Sequence, residues 1–167
     1  MNKKTLFITQ AAIIAAIYVV LTHIANAFGL ANYAIQVRFS EALTILPFFT
    51  PAAIPGLFVG CIISNITTGC LPLDTVFGSI ATLLGAFGTY AIGKMLKHNQ
   101  VSKFLSPLPP IVANTIIVPF VLAYVYQFEG SISYFMLTVG AGEVISCGIL
   151  GLIVLFALDK RKDEIFR

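Results

Sequence analysis

The chain has 167 residues, 58% of them hydrophobic and only 10% charged, with a mean hydropathy of +0.95. So little polar surface cannot cover a water-soluble domain of this size, which excludes a soluble globular protein and makes lipid the main solvent. The net charge of +3 is modest, and no polar linker, low-complexity tail or repeat period divides the chain, so a single transmembrane domain over residues 1–167 is expected.

Crossing a bilayer core of about 30 Å takes roughly 20 apolar helical residues. Four stretches predict such helices: 6–28, 75–96, 110–128 and 132–158. A signal peptide is the rival reading of the first, because Lys3 and Lys4 precede it and Ala25-Asn26-Ala27 resembles a cleavage site. The apolar run exceeds a signal core, and everything downstream also requires lipid. Between the first two stretches, segment 41–68 is apolar but broken by Pro47, Pro51 and Pro55, which remove backbone donors and kink or end helices.

Charge sets the topology of that segment. Lys3 and Lys4 precede the first span, Lys94, Lys97 and Lys103 follow the second, and Lys160, Arg161, Lys162 and Arg167 follow the last, leaving Arg38 elsewhere. The positive-inside rule makes all three clusters cytoplasmic. Segment 41–68 then begins and ends outside, which a single crossing cannot do. It is expected to be a hairpin of two short or tilted helices turning at residues 49–55, with a re-entrant loop as the alternative. The expected fold is an all-α integral membrane protein of six transmembrane helices with both termini cytoplasmic.

The same parity puts Asp159, Asp163 and Glu164 inside, and Glu41, Asp74, Glu129 and Glu143 at or near the outer half, with Arg38 beside Glu41. Glu129, next to Gly130, reads as a solvated loop acid. Glu143 lies well within the last span, where a carboxylate is costly and faces a cavity or a partner; ligand binding and a structural hydrogen bond to a neighbouring helix both fit. Asn114 is expected nearer the cytoplasm than Glu143, either joining helices or meeting a ligand. Asn65, with Thr67 and Thr68, predicts a helix-end cap first and a ligand contact second; Asn65-Ile66-Thr67 also matches a glycosylation acceptor, a pattern common by chance. Asp74, just before Thr75, is expected to cap the helix that follows. Tyr124, Tyr126 and Gln127 cluster at an outer helix end, where aromatic rings anchor the interface and can stack on a planar ligand.

Other motifs fail on inspection. The stretch from Gly88 to Lys94 has the glycine and lysine spacing of a phosphate-binding loop, but Met95 stands where a magnesium-binding hydroxyl is needed. Cys61, Cys70 and Cys147 are odd in number and lack paired ligand spacing, and His23 and His98 have no metal-binding context, so neither a metal site nor a disulfide framework is expected. No nucleophile, nucleotide or metal machinery points to an enzyme, and nucleic acid is not among the expected partners. In the first helix Ala11 with Ala15 and Ala12 with Ala16 form two small-xxx-small pairs, suited to internal packing or to a partner. Gly78, Ala81, Gly85 and Gly88, and then Gly140, Gly148 and Gly151, predict close contacts inside the bundle.

The run Gln36-Val37-Arg38-Phe39-Ser40-Glu41-Ala42-Leu43-Thr44-Ile45-Leu46-Pro47, then Pro55-Gly56-Leu57-Phe58-Val59-Gly60, then Leu73-Asp74 onward to Gly85, resembles the QueT family. These are substrate-binding S components of energy-coupling factor (ECF) importers, associated with queuosine precursors. The resemblance implies a six-helix S-component bundle in the bacterial cell membrane, binding no cofactor of its own. An alanine pair of the first helix would contact the shared transmembrane coupling protein, and two ABC-type ATPases would supply ATP hydrolysis from the cytoplasm.

The implied ligand is 7-aminomethyl-7-deazaguanine, a deazapurine with a cationic arm and a guanine-like edge. One carboxylate can accept two hydrogens of that edge and another can pair with the ammonium, each through a charge-assisted bond. On this reading Glu143 takes one role and Glu41 or Asp74 the other, Asn114 or Asn65 meets the carbonyl oxygen, and Tyr124 stacks on the ring. Arg38 instead neutralises Glu41 within a lid formed by residues 29–39. The alternative is a stand-alone secondary transporter in which Glu143 carries a coupling proton, which the small size and the lack of repeated broken helices disfavour.

Overall fold

The structure is a computed structural model that describes residues 2–30, 36–96 and 99–165. Of the expected lid, residues 31–35 lie outside the described residues, as do Lys97, His98 and Arg167. The described residues are all-helical. Helix α1 (Lys3–Ala27) is capped by Asn2, whose side chain accepts from the Lys4 amide. A 3-10 helix (Phe39–Phe48) and α2 (Ala53–Thr67) follow, joined by a tight turn, and then α3 (Pro72–Met95). Short α4 (Gln100–Leu105) leads into α5 (Leu108–Phe120), which runs on as a π-helical turn, Val121–Val125. Helix α6 (Ile132–Glu143) continues through π-helical Val144–Leu150 into α7 (Gly151–Asp159).

Four helical rods are long and apolar enough to cross a membrane: Lys3–Ala27, Pro72–Met95, Gln100–Val125 and Ile132–Asp159. The two arms between them are shorter. At a rise of about 2.0 Å per residue in the 3-10 arm and 1.5 Å in α2, each reaches roughly 20 Å. The expected hairpin is therefore present as a chain reversal at residues 49–52. Thr50 closes it by accepting from the Ala52 amide and donating to Gln10 of α1.

The 3-10 arm is the centre of the molecule. Every residue from Ser40 to Phe48 is buried, and α1, α2, α3 and α7 pack around it. Such helices seldom run beyond a turn or so, because their hydrogen bonds are poorly aligned. Here Pro47 removes one donor, and complete burial on all sides supplies the packing that holds the rest.

Glycines set how closely the rods approach. A methyl group added at Gly85 or Gly88 would sit 2.7 or 2.4 Å from Pro110 or Pro109, so α3 and α5 meet backbone to ring. The glycine face expected on that helix is borne out there. One added at Gly60 would sit 3.1 Å from the Cα of Ala15, and one at Gly56 2.7 Å from the Ala11 carbonyl. The Ala11 and Ala15 pair is thus used internally, against α2, while Ala12 and Ala16 are exposed. Outward-facing Ile8, Ile13, Ile17 and Val20 surround that second pair with apolar surface suited to lipid.

Two expectations about helix ends are corrected. Helix α3 starts at Pro72 with Leu71 as its cap residue, so Asp74 lies inside the first turn and is not the cap. A proline at the first position is preorganised for a helix start, which moves the boundary ahead of the apolar run. At the end of α2 the threonines do the capping: Thr67 and Thr68 donate to the carbonyls of Ile63 and Ser64, and the Asn65 side chain is left buried and free of that role.

Candidate functional site

A cavity of about 450 Å³ opens between α1, α2, α3, α5 and α6, within the usual range for small-molecule pockets. Its polar lining includes Gln36, Arg38, Asn65 and Asp74, and Tyr126, Phe128 and Phe135 supply aromatic wall. Asp74 is positioned twice over. Its place in the first turn of α3 sets a carboxylate at the positive end of the helix dipole, and the Tyr126 hydroxyl donates to its Oδ2 at 2.8 Å. That hydroxyl in turn accepts from the Leu71 amide at 3.3 Å. Burial, and next the bond to Asp74, push the Tyr126 hydroxyl above the ordinary tyrosine range, so it remains a donor. Gly78 keeps this wall open: a methyl group there would lie 3.3 Å from Asn65 Nδ2 and 3.7 Å from Asp74 Oδ1.

The aromatic residue expected in the site was Tyr124, and here the structure differs. Tyr124 is 69% exposed and stacks on Phe120, away from the cavity, whereas Tyr126 stacks on Phe128 within it. The π-helical turn at Val121–Val125 adds a residue to the helical register and Gln127 follows in the left-handed region at φ 53°. Tyr126 continues the face of Val118 and Leu122 at four-residue spacing, and Phe128 follows the left-handed Gln127 into the same wall.

Beneath the cavity lies a second polar group, buried throughout. Tyr18 of α1 donates to Glu41 Oε1, Thr44 donates to the Glu41 carbonyl, and the Cys147 thiol donates to Glu143 Oε2 at 3.0 Å. Ligand atoms of Glu41, Glu143 and Cys147 all lie within 4.8 Å of one another. The Asn114 amide faces both carboxylates without completing a hydrogen bond to either. It stands level with Glu143, a correction to the expectation that it would lie nearer the cytoplasm. Arg38 sits at the border, within electrostatic reach of Asp74 and Glu41, but makes no direct ion pair among the described residues, so the expected neutralisation of Glu41 is long-range.

The two layers are related by one helical turn. Thr22, Asn65, Val118 and Val139 line the cavity, and four residues along the same helices lie Tyr18, Cys61, Asn114 and Glu143. Glu41 is three residues beyond Arg38 in the 3-10 arm. One turn is about 6 Å, so the carboxylate layer forms a second floor directly below the first. The segment above is anchored by the Arg38 amide, which donates to Ser146, and by Gly142, where a methyl group would sit 2.1 Å from the Gln36 carbonyl. Sequence reading passed over Gln36, Tyr18, Gly142 and Cys147; the last was visible only as a thiol four residues after Glu143.

A family model described as QueT transporter matches residues 8–160. The chain belongs to the QueT family. This is a family of transporters, which implies a role other than catalysis. The chain is also similar to the queuosine precursor transporter QueT of Lactococcus lactis subsp. cremoris (strain MG1363), at 36% identity over 83 residues. That match covers 50% of this QueT-family chain and 48% of the relative, so it spans about half the length of that protein. No solved structure matches.

Proposed function

We propose that this chain is the substrate-binding S component of an ATP-driven ECF importer in the bacterial cell membrane. It captures a queuosine precursor, 7-aminomethyl-7-deazaguanine or a related deazapurine, from outside. The observation that carries this reading is the open cavity with Asp74, Asn65 and Arg38 in its walls and the buried carboxylates of Glu41 and Glu143 one turn below. A cationic, hydrogen-rich ring is the kind of guest that completes such a site. The named relative from Lactococcus agrees with that chemistry. Tyr126, in place of Tyr124, supplies the aromatic face.

The chain crosses the membrane six times with both termini cytoplasmic, the 3-10 arm and α2 serving as the two short crossings. The distribution of basic residues supports this, as does the chain reversal at 49–52. The coupling protein docks on the exposed Ala12 and Ala16 face of α1, since Ala11 and Ala15 are already committed to α2. Two ABC-type ATPases provide the energy from the cytoplasmic side.

Reconstitution into liposomes tests the proposal. Uptake of the deazapurine is expected only when coupling protein, both ATPases and ATP are supplied. Uptake by this chain alone under a proton gradient would instead establish a stand-alone secondary transporter. Within the importer reading, Glu143→Gln is expected to weaken ligand binding by about 2 kcal/mol or more, some thirtyfold.

A further inference from the structure

Three buried groups beneath the cavity have unused hydrogen-bonding capacity. Glu41 Oε2 and Asn114 Nδ2 have no partner, and Glu143 accepts from Cys147 on Oε2 alone among the described residues. Glu41 Oε2 and Asn114 Nδ2 are sealed from water, in residues 2% and 4% exposed, while Glu143 is 7% exposed and its second oxygen keeps a little accessible surface. An orphaned buried polar atom costs about 1–3 kcal/mol, and native structures carry few. Two in one place, on two different elements and beside the half-used carboxylate of Glu143, mark a site completed by something else. The amide orientation follows from its neighbours: beside two carboxylates, Asn114 is stable with its nitrogen turned toward them. The cluster therefore offers one donor and two acceptors.

Building on the deazapurine reading above, we propose that this cluster reads the lactam edge of the ring, so that the guanine-like edge points inward and the aminomethyl arm points back to Asp74. The edge carries a carbonyl oxygen, a ring N–H and an exocyclic amine in a row. These meet Asn114 Nδ2, Glu41 Oε2 and the free oxygen of Glu143, each orphan gaining the partner it lacks. The reverse orientation fits worse, because an ammonium brings three donors and no acceptor and leaves the Asn114 amide unsatisfied. A metal ion on Glu41, Glu143 and Cys147 has the same defect, and it would also displace the thiol hydrogen already held by Glu143. With the edge buried, the arm is left to Asp74, whose Oδ2 is held by Tyr126 and whose Oδ1 accepts no bond among the described residues. Glu41, Asn114 and Glu143 do not line the cavity, so the ring reaches them by entering about 6 Å below its floor, between Val118 and Val139.

The test uses the whole protein in lipid nanodiscs, titrated with three probes: 7-aminomethyl-7-deazaguanine, its 7-cyano counterpart with a neutral arm, and the aminomethyl compound bearing a 2,6-diamino ring. The wild-type protein is expected to favour the first over each of the others by about tenfold or more, the cost of one unmet buried bond. Asp74→Asn should erase the preference for ammonium over nitrile and keep the preference for lactam over diamino ring. Asn114→Leu, with Asn114→Ser as the milder variant, should keep the preference for ammonium over nitrile and reduce, without erasing, the preference for lactam over diamino ring, because the diamino ring also turns a lone pair toward Glu41. A swapped pattern, or equal binding of the diamino compound by the wild-type protein, overturns the orientation. Loss of wild-type binding on adding a chelator would overturn it in favour of a metal site. If the wild-type protein binds none of the three, the deazapurine reading itself fails and the orientation goes with it.

Discussion

Tyr18 on α1 donates its hydroxyl to Glu41 on the buried 3-10 arm, tying a helix with one exposed apolar face to the pillar at the centre of the molecule. No other side chain completes a hydrogen bond to that carboxylate among the described residues. Tyr18→Phe keeps the ring's packing and removes only the donor, so its effect isolates the bond. Stranding a buried acceptor costs about 1–3 kcal/mol. Thermal unfolding of the purified variant should therefore begin at lower temperature than in the wild-type protein, and ligand affinity should fall. An unchanged melting curve would mean that Glu41 is satisfied without Tyr18.

Gly142 predicts an effect on the cavity with little effect on the fold. A methyl group there would collide with the Gln36 carbonyl at 2.1 Å, and backbone cannot rotate away as a side-chain tip can. Gly142→Ala should push the segment bearing Gln36 and Arg38 out of the cavity wall and weaken ligand binding by about tenfold or more, while the helical content holds. Gly148→Ala is the control, since its nearest neighbours would be 3.8 Å away. Calorimetric titration beside circular dichroism distinguishes the two; equal binding by both variants would show that the segment does not shape the site.

The long rods were legible in the sequence because length and hydropathy alone define a span, and the hairpin because charge parity and three prolines demanded a reversal. That its first arm is a 3-10 helix was not legible, since the choice between i→i+3 and i→i+4 bonding was made by packing on every side. Asp74 is expected both as a helix cap and as a ligand partner, and only the cap fails, because the apolar run begins at Thr75 while the helix begins at Pro72. Glu41, Asn114 and Glu143 stood out as polar groups that are expensive in lipid, and the structure brings all three together. Tyr18 did not, because a tyrosine in an apolar helix is ordinary. The choice of Tyr124 over Tyr126 failed because it did not follow the helical register: Val118 and Leu122 line the cavity, and four residues further on comes Tyr126.

On the importer proposed above, the two alanine pairs of α1 divide between folding and assembly. Ala15 is buried against Gly60, so Ala15→Leu should destabilise the isolated protein, by about 1–3 kcal/mol as an overpacked contact. Ala12 and Ala16 are exposed, so the double change to leucine should leave melting temperature and ligand binding unaltered while reducing co-purification with the coupling protein and uptake in liposomes. Retained assembly would move the docking face elsewhere on the molecule.

At the opposite end of the bundle from the cavity, Lys103 of α4 is almost fully buried and its Nζ lies 2.7 Å from Asp159 Oδ2, with Lys162 at 3.5 Å from the other oxygen. As one of several basic residues, Lys103 looks from the sequence like an ordinary solvated charge, but its burial makes it a fastening between α4 and the end of α7. An ion pair with one member buried gains little over apolar packing, since taking Lys103 out of water offsets much of the attraction; what it does is make Lys103 costly without Asp159. Asp159 is only half-buried, so Asp159→Asn should lower stability by about 1–2 kcal/mol, with Lys103 losing its partner and Lys162 too exposed to be affected. Lys103→Met combined with Asp159→Leu should recover most of that loss. A double-mutant cycle on thermal unfolding measures the difference. If the double variant is as unstable as the sum of the two single ones, the residues are not coupled, and α4 must be held against α7 by the packing of Phe104 on Phe156 instead.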